Sequence, residues 1–217
     1  RVVMGPERKS RLISDEEKRI IAYHEAGHAV AMNAIPEADP VQKITIVGRG
    51  QAGGLTWYRP EDDRLLTSRK KMSAALVGLL GGRVAEELVF DDVTSGASND
   101  IERVTQMARM MVTRLGMSSN MGLMTYGQKE ELIFLGREIS EQRDYSEAIA
   151  EKIDAEVRKL VDEAYKMTKN LLTKYRAELD AVAQRLLEVE TLSRDEFESI
   201  FPPPFPKKSG TPQVIAM

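Results

Sequence analysis

Ala22-Tyr23-His24-Glu25-Ala26-Gly27-His28-Ala29-Val30 is the stretch on which the reading of this chain turns. It lies in a run free of proline from Ser14 to Ile35, which predicts a helix. A helix turns once in about 3.6 residues, so His24 and His28 project from one face a turn apart, and both imidazoles can reach one ion. Zinc held by such an H-E-x-x-H pair and a third protein ligand keeps an open position for water, whose pKa falls to about 7. Glu25, next to the first imidazole, is then placed to take that water's proton as it attacks a carbonyl. The competing reading is two histidines that fall four apart on a core-facing stripe by chance. They are the chain's only 2 histidines, which argues against scatter.

Outward from that stretch, Ser14 followed by Glu17 forms a capping-box pattern, so the helix is expected to begin near Asp15 and to end before Pro36. Ile20, Ile21 and Ala31 share its inward side with the histidines. The β-branched set Val41, Ile44, Ile46 and Val47, a glycine-rich turn from Gly48 to Gly54, and Leu55-Thr56-Trp57-Tyr58 predict a short hairpin or small sheet lying on the helices, with an exposed edge. An exposed edge can accept an extended peptide as an added strand, which nominates Gly53, Gly54, Leu55 and Thr56 as a substrate-binding edge. A purely structural hairpin is the alternative.

Thr67 or Ser68 caps a predicted second helix to about Phe90, in which Gly78, Gly81 and Gly82 imply a close helix contact. After a loop over Asp91–Ala97, Ser98 or Asn99 caps a third helix to about Leu115, with Ile101, Val104, Met107, Ala108 and Met111 as its core stripe. Residues 116–140 are too long for a plain turn. A long amphipathic helix follows from Ser146 to Tyr175, through Ile149, Ile153, Val157, Leu160, Ala164, Met167 and Leu171. Another runs from about Glu178 to Glu188, and a short terminal helix starts from the Ser193/Glu196 capping box. The predicted class is mainly α (α+β), with a small β-hairpin or sheet edge near the active site. The expected organisation is a linker over 1–13, one domain over 14–201 with a catalytic part to 140 and C-terminal helices from 141, and a disordered proline-rich tail over 202–217.

Composition narrows the function classes. The 217 residues carry 31 basic and 34 acidic side chains, well mixed, for a net charge of -3, so neither a nucleic-acid footprint nor a polybasic membrane patch is expected. No cysteine is present, which removes a thiol nucleophile, thiolate ligands and disulfides. The longest strongly apolar run, Met72 to Gly82, falls short of the roughly 18 residues that cross a bilayer, so a soluble piece is expected. The start at Arg1, without an initiator methionine or a signal-peptide pattern, suggests a part of something larger.

With no further histidine and no cysteine, the third ligand of a bound zinc has to be Asp or Glu. Glu86 or Glu87 on the second helix is one candidate. Asp100, in the first turn of the third helix, is the other, and helix-dipole stabilisation would equally explain an acidic residue there. Spacing does not choose between them.

Four motifs occur in order: Ala22-Tyr23-His24-Glu25-Ala26-Gly27-His28-Ala29, Gly50-Gln51-Ala52-Gly53-Gly54, Gly82-Arg83-Val84-Ala85-Glu86-Glu87 and Thr94-Ser95-Gly96-Ala97-Ser98-Asn99-Asp100. Together they closely resemble the peptidase domain of the FtsH family, the membrane-anchored ATP-dependent zinc metalloproteases, over about residues 1–201. The resemblance implies a mostly helical zinc endopeptidase domain with Asp100 as third ligand and Glu25 as catalytic base. Glu86 then becomes the group that orients a ligand imidazole by accepting its other N–H. The resemblance further implies a homo-hexamer fed with unfolded and membrane proteins by an AAA ATPase module, on the cytoplasmic side of a bacterial inner membrane. No Walker A sequence or membrane span is present, so ATP, Mg2+ and membrane contact are expected to belong to a missing N-terminal region. The rival from another class is a helical oligomerisation or adaptor module with structural zinc or none.

Overall fold

The Ser14 hydroxyl oxygen accepts a hydrogen bond from the Glu17 N–H while the Glu17 carboxylate accepts one from the Ser14 N–H, closing the expected capping box at the start of α1 (Asp15–Asn33). Such a cap contributes about 1 kcal/mol and fixes where the histidine-bearing turns begin. The structure is a computed structural model that describes residues 14–48, 54–58, 66–127 and 144–205, with Tyr58 as backbone. The predicted linker over 1–13, Gly53, residues 128–140 of the predicted long loop, and 206–217 of the predicted tail lie outside the described residues.

The elements that follow are β1 (Val41–Thr45), β2 (Leu55–Tyr58), α2 (Arg69–Phe90), a 3-10 turn over Ser95–Ala97, α3 (Ser98–Thr113), α4 (Glu147–Lys174), α5 (Arg176–Val189), β3 (Thr191–Ser193) and α6 (Arg194–Ile200). The chain is mainly helical with one small antiparallel sheet, as predicted, and α2 is its centre, packed against α1, α3 and α4. The glycines explain the first of these contacts. A Cβ on Gly81 would stand 2.5 Å from the Gly27 carbonyl oxygen, so the two backbones meet where both side chains are absent. Gly78 leaves room for the Met32 side chain, and Gly82 for the His24 ring. Val30, Leu76, Leu80 and Val84 close the core around this crossing, each worth about 1.5–3 kcal/mol in burial.

The predicted hairpin or small sheet is present as a three-stranded sheet, with a third strand, β3, that the sequence alone does not place. The order is β2-β1-β3, so β1 is central, pairing Ile44 with Thr56 on one side and Leu192 on the other. Three residues of strand between two helices carry too little pattern to be read from sequence. The third strand ties the C-terminal helices to the sheet, and among the described residues β2 and β3 are its two edges. Further along, α3 begins from a 3-10 turn, with Ala97 rather than Ser98 or Asn99 at the capping position, and Ile101 is 41% exposed rather than part of the core. In α4 the buried series runs Leu160, Ala164, Thr168, Leu172, so Met167 faces out. Thr168 tolerates this burial because its hydroxyl lies 2.8 Å from the Ala164 carbonyl. Helix α5 starts at Arg176, directly after a break at Tyr175.

Candidate metal centre

His24 and His28 sit one turn apart on α1, with their Nε2 atoms 3.0 Å from each other. Asp100, in the first turn of α3, brings Oδ2 to 3.4 Å from His24 Nε2 and 3.3 Å from His28 Nε2. Zinc bonded to N and O at about 2.0–2.2 Å in a tetrahedron separates its ligand atoms by about 3.3–3.5 Å, which the carboxylate-to-imidazole distances match. Among the described residues, His24, His28 and Asp100 form the group of donors close enough to hold an ion.

The other face of each ring settles which nitrogen is free. His24 Nδ1 lies 2.6 Å from Glu86 Oε1, and His28 Nδ1 lies 2.8 Å from the Gly78 carbonyl. A carbonyl can only accept, so the Gly78 carbonyl at 2.8 Å favours the proton on His28 Nδ1 over the more distant Gly82 N–H at 3.3 Å, and Glu86 likewise favours it on His24 Nδ1, which turns both Nε2 atoms towards the same spot. Two lone pairs and a carboxylate oxygen converging this closely repel one another unless a cation lies among them. The donor set therefore fits a divalent metal. Burial disfavours a charged His24, yet Asp100 and Glu86 outweigh it and raise its pKa to about 10: a bound proton answers the same field. Burial also works against the charge on Asp100, but the neighbouring His24 and His28 imidazoles hold its carboxyl well below the usual carboxylate range.

Glu86 is 1% exposed and spends both oxygens, Oε1 on His24 and Oε2 on the Thr94 N–H at 2.7 Å. Burial opposes its ionisation, and these two bonds reverse the effect and lower its pKa. It thus links the first histidine to the start of the turn that delivers Asp100. Glu87, the other sequence candidate, points elsewhere, accepting from Tyr165 and Lys169 of α4. Glu25 is 6% exposed beside the histidines, and burial pushes its carboxyl up against the pull of both imidazoles. Of the nominated edge, Gly54, Leu55 and Thr56 lie at the start of β2 next to Glu25, with the Thr56 hydroxyl 2.6 Å from Glu25 Oε2. Sequence reasoning missed the Gly78 carbonyl and the Thr94 N–H, since backbone partners leave no residue-type signal. Glycines at 78 and 82, one turn apart, were the available hint.

Residues 11–200 match the description of peptidase family M41. The chain is 49% identical over 99% of its length to "ATP-dependent zinc metalloprotease FtsH 1" of Sphaerobacter thermophilus, 32% of which it covers. It is 52% identical over 98% of its length to the protein of the same name from Thermomicrobium roseum, covering 33% of it. Against "ATP-dependent zinc metalloprotease FtsH" of Thermotoga maritima it is 52% identical over 95% of its length, covering 34%. The chain thus spans about a third of the length of the curated relatives it matches. With a match across nearly all of the chain and half its positions identical to these relatives, it belongs to peptidase family M41.

Proposed function

We propose that this chain is the zinc-dependent endopeptidase unit of a longer, ATP-driven protease. The observation that carries the reading is the convergence of His24 Nε2, His28 Nε2 and Asp100 Oδ2 beside a buried Glu25. His24, His28 and Asp100 would hold zinc, which supplies Lewis acidity, making water a nucleophile near neutral pH and polarising the scissile carbonyl. Glu25 takes a proton from the attacking water and delivers it to the leaving amine nitrogen as the C–N bond breaks, so no covalent enzyme intermediate forms. A carboxyl whose affinity for protons is raised by burial suits both halves of that transfer. Glu86 and the Gly78 carbonyl keep the two imidazoles in the tautomer and orientation that ligation needs. The outer edge of β2 would receive the substrate as an added strand, through backbone hydrogen bonds that select little for sequence.

The relatives' names make ATP dependence and a metalloprotease activity the reading for the whole protein, of which this chain would be the proteolytic third. We assign the unfolding step to an AAA ATPase module in the same full-length chain, the assembly to a homo-hexamer, and the substrates to unfolded and membrane proteins. The full protein would work at a bacterial inner membrane, with this unit on the cytoplasmic side. Among the described residues, no helix is long and apolar enough to cross a membrane.

Cleavage of an unfolded polypeptide by the zinc-loaded chain tests this reading. Activity should disappear with a chelator, return with zinc, and fall by about a hundredfold or more in Glu25→Gln. Equal cleavage by wild type and Glu25→Gln would overturn it.

A further inference from the structure

Thr56 on β2 occupies a position that a substrate-edge role does not account for. Its hydroxyl lies 2.6 Å from Glu25 Oε2, within the range of about 2.5–2.7 Å for a hydroxyl donating to an ionised carboxylate. Among the described residues it is the hydrogen-bond partner of that carboxylate. The same hydroxyl is 3.1 Å from the Glu25 main-chain oxygen, but it has one proton to give, and the carboxylate is the nearer and stronger acceptor. Two residues before Thr56 on the same side of the strand, Gly54 also packs against the Glu25 side chain. A Cβ there would stand 2.7 Å from Oε1, 2.8 Å from Cγ and 3.0 Å from Cδ, so backbone packs directly on the carboxylate.

We propose that Thr56 is a positioning residue for Glu25: its hydroxyl holds one carboxylate oxygen while the Gly54 backbone packs beside the other, which fixes the direction in which the base presents its free oxygen. The alternation of β2 makes this specific. Thr56 pairs with the fully buried Ile44 of β1 and turns towards α1, whereas Trp57 is 52% exposed. A one-residue slip in register would remove the hydroxyl from the site. Threonine suits the task because its branched Cβ restricts χ1 and favours a strand. The strand proposed to receive the peptide would therefore also aim the group that moves the proton.

The inference rests on Glu25 acting as the base, and the test keeps the two apart. Thr56→Val retains shape and branching without the donor, and Thr56→Ser retains the donor. Both are compared with wild type and Glu25→Gln on an unfolded-polypeptide reporter, with zinc content, melting temperature and the infrared carboxylate stretch of isotope-labelled Glu25 in the chelated protein. In Thr56→Val, kcat should fall about ten- to hundredfold, as expected for a misplaced catalytic group, with KM within about twofold and zinc retained. The carboxylate band should shift to higher or lower frequency, and Thr56→Ser should restore both kcat and band. Should the valine variant not fold, Thr56→Ala against Thr56→Ser makes the same comparison. Full kcat in Thr56→Val, zinc loss, or an unshifted band overturns the role of Thr56 while an inactive Glu25→Gln leaves the base in place. A fully active Glu25→Gln overturns the base itself.

Discussion

Two imidazole Nε2 atoms 3.0 Å apart are held facing each other by Glu86 and the Gly78 carbonyl, an arrangement that is repulsive unless a proton or a metal ion lies between them. That arrangement makes the site sensitive to whatever cation fills it. In the metal-free protein His24 is protonated in the folded state up to about pH 10, against an ordinary value of 6.5. The stability this contributes is fully present below pH 6.5 and is lost as pH rises through about 10. Chelated wild type should therefore lose more melting temperature between pH 6.5 and 9.5 than chelated His24→Gln does, and parallel curves would refute it. The same proton must leave when metal binds, so zinc addition near pH 8 should release protons into a weakly buffered solution. Glu86→Gln keeps the size of the side chain but removes its charge and one acceptor. It should weaken zinc binding by about ten- to hundredfold in chelator competition, and an unchanged affinity would show that Glu86 does not orient His24.

At the scale of elements, the crossing of α1 and α2 sets the distance from which Glu86 reaches His24. Gly81→Ala would drive a Cβ into the Gly27 carbonyl, a backbone atom that no rotamer change can move aside. The substitution should cost at least the roughly 1–3 kcal/mol of an overpacked core, read as a lower urea midpoint, and should also reduce zinc affinity. A neutral Gly81→Ala would mean that the helices do not meet there. The glycines announced this contact in the sequence, as the capping box announced the start of α1, because both are local patterns with one physical meaning. The proposed third ligand was not legible in that way. Glu86, Glu87 and Asp100 all read as acidic residues on helices, and only their placement separates them: Glu86 turned to His24 and Thr94, Glu87 to α4, Asp100 to the imidazoles. Thr168 replaces Met167 in the core of α4 because burial follows the strict i, i+4 series and a threonine can return its hydroxyl to the helix backbone. The strand β3 escaped notice because pairing with β1, over 140 residues away in the chain, defines it more than its own three residues do.

For the whole molecule, the candidate donors come from α1 and α3 while Glu86 of α2 is hydrogen-bonded to one of them, so an ion there would fasten three elements at once. Binding to the folded form alone stabilises it by mass action, about 4 kcal/mol at a thousand times the dissociation constant. Zinc should accordingly raise the melting temperature of wild type and leave Asp100→Ala unmoved. Metal content after exhaustive dialysis, compared between wild type, Glu25→Gln, Glu86→Ala and Asp100→Ala, bears most directly on the three-donor centre. Wild type and Glu25→Gln should each retain one zinc per chain, Glu86→Ala a reduced share, and Asp100→Ala close to none. Full zinc occupancy in Asp100→Ala would contradict the assignment of that carboxylate and the centre built on it.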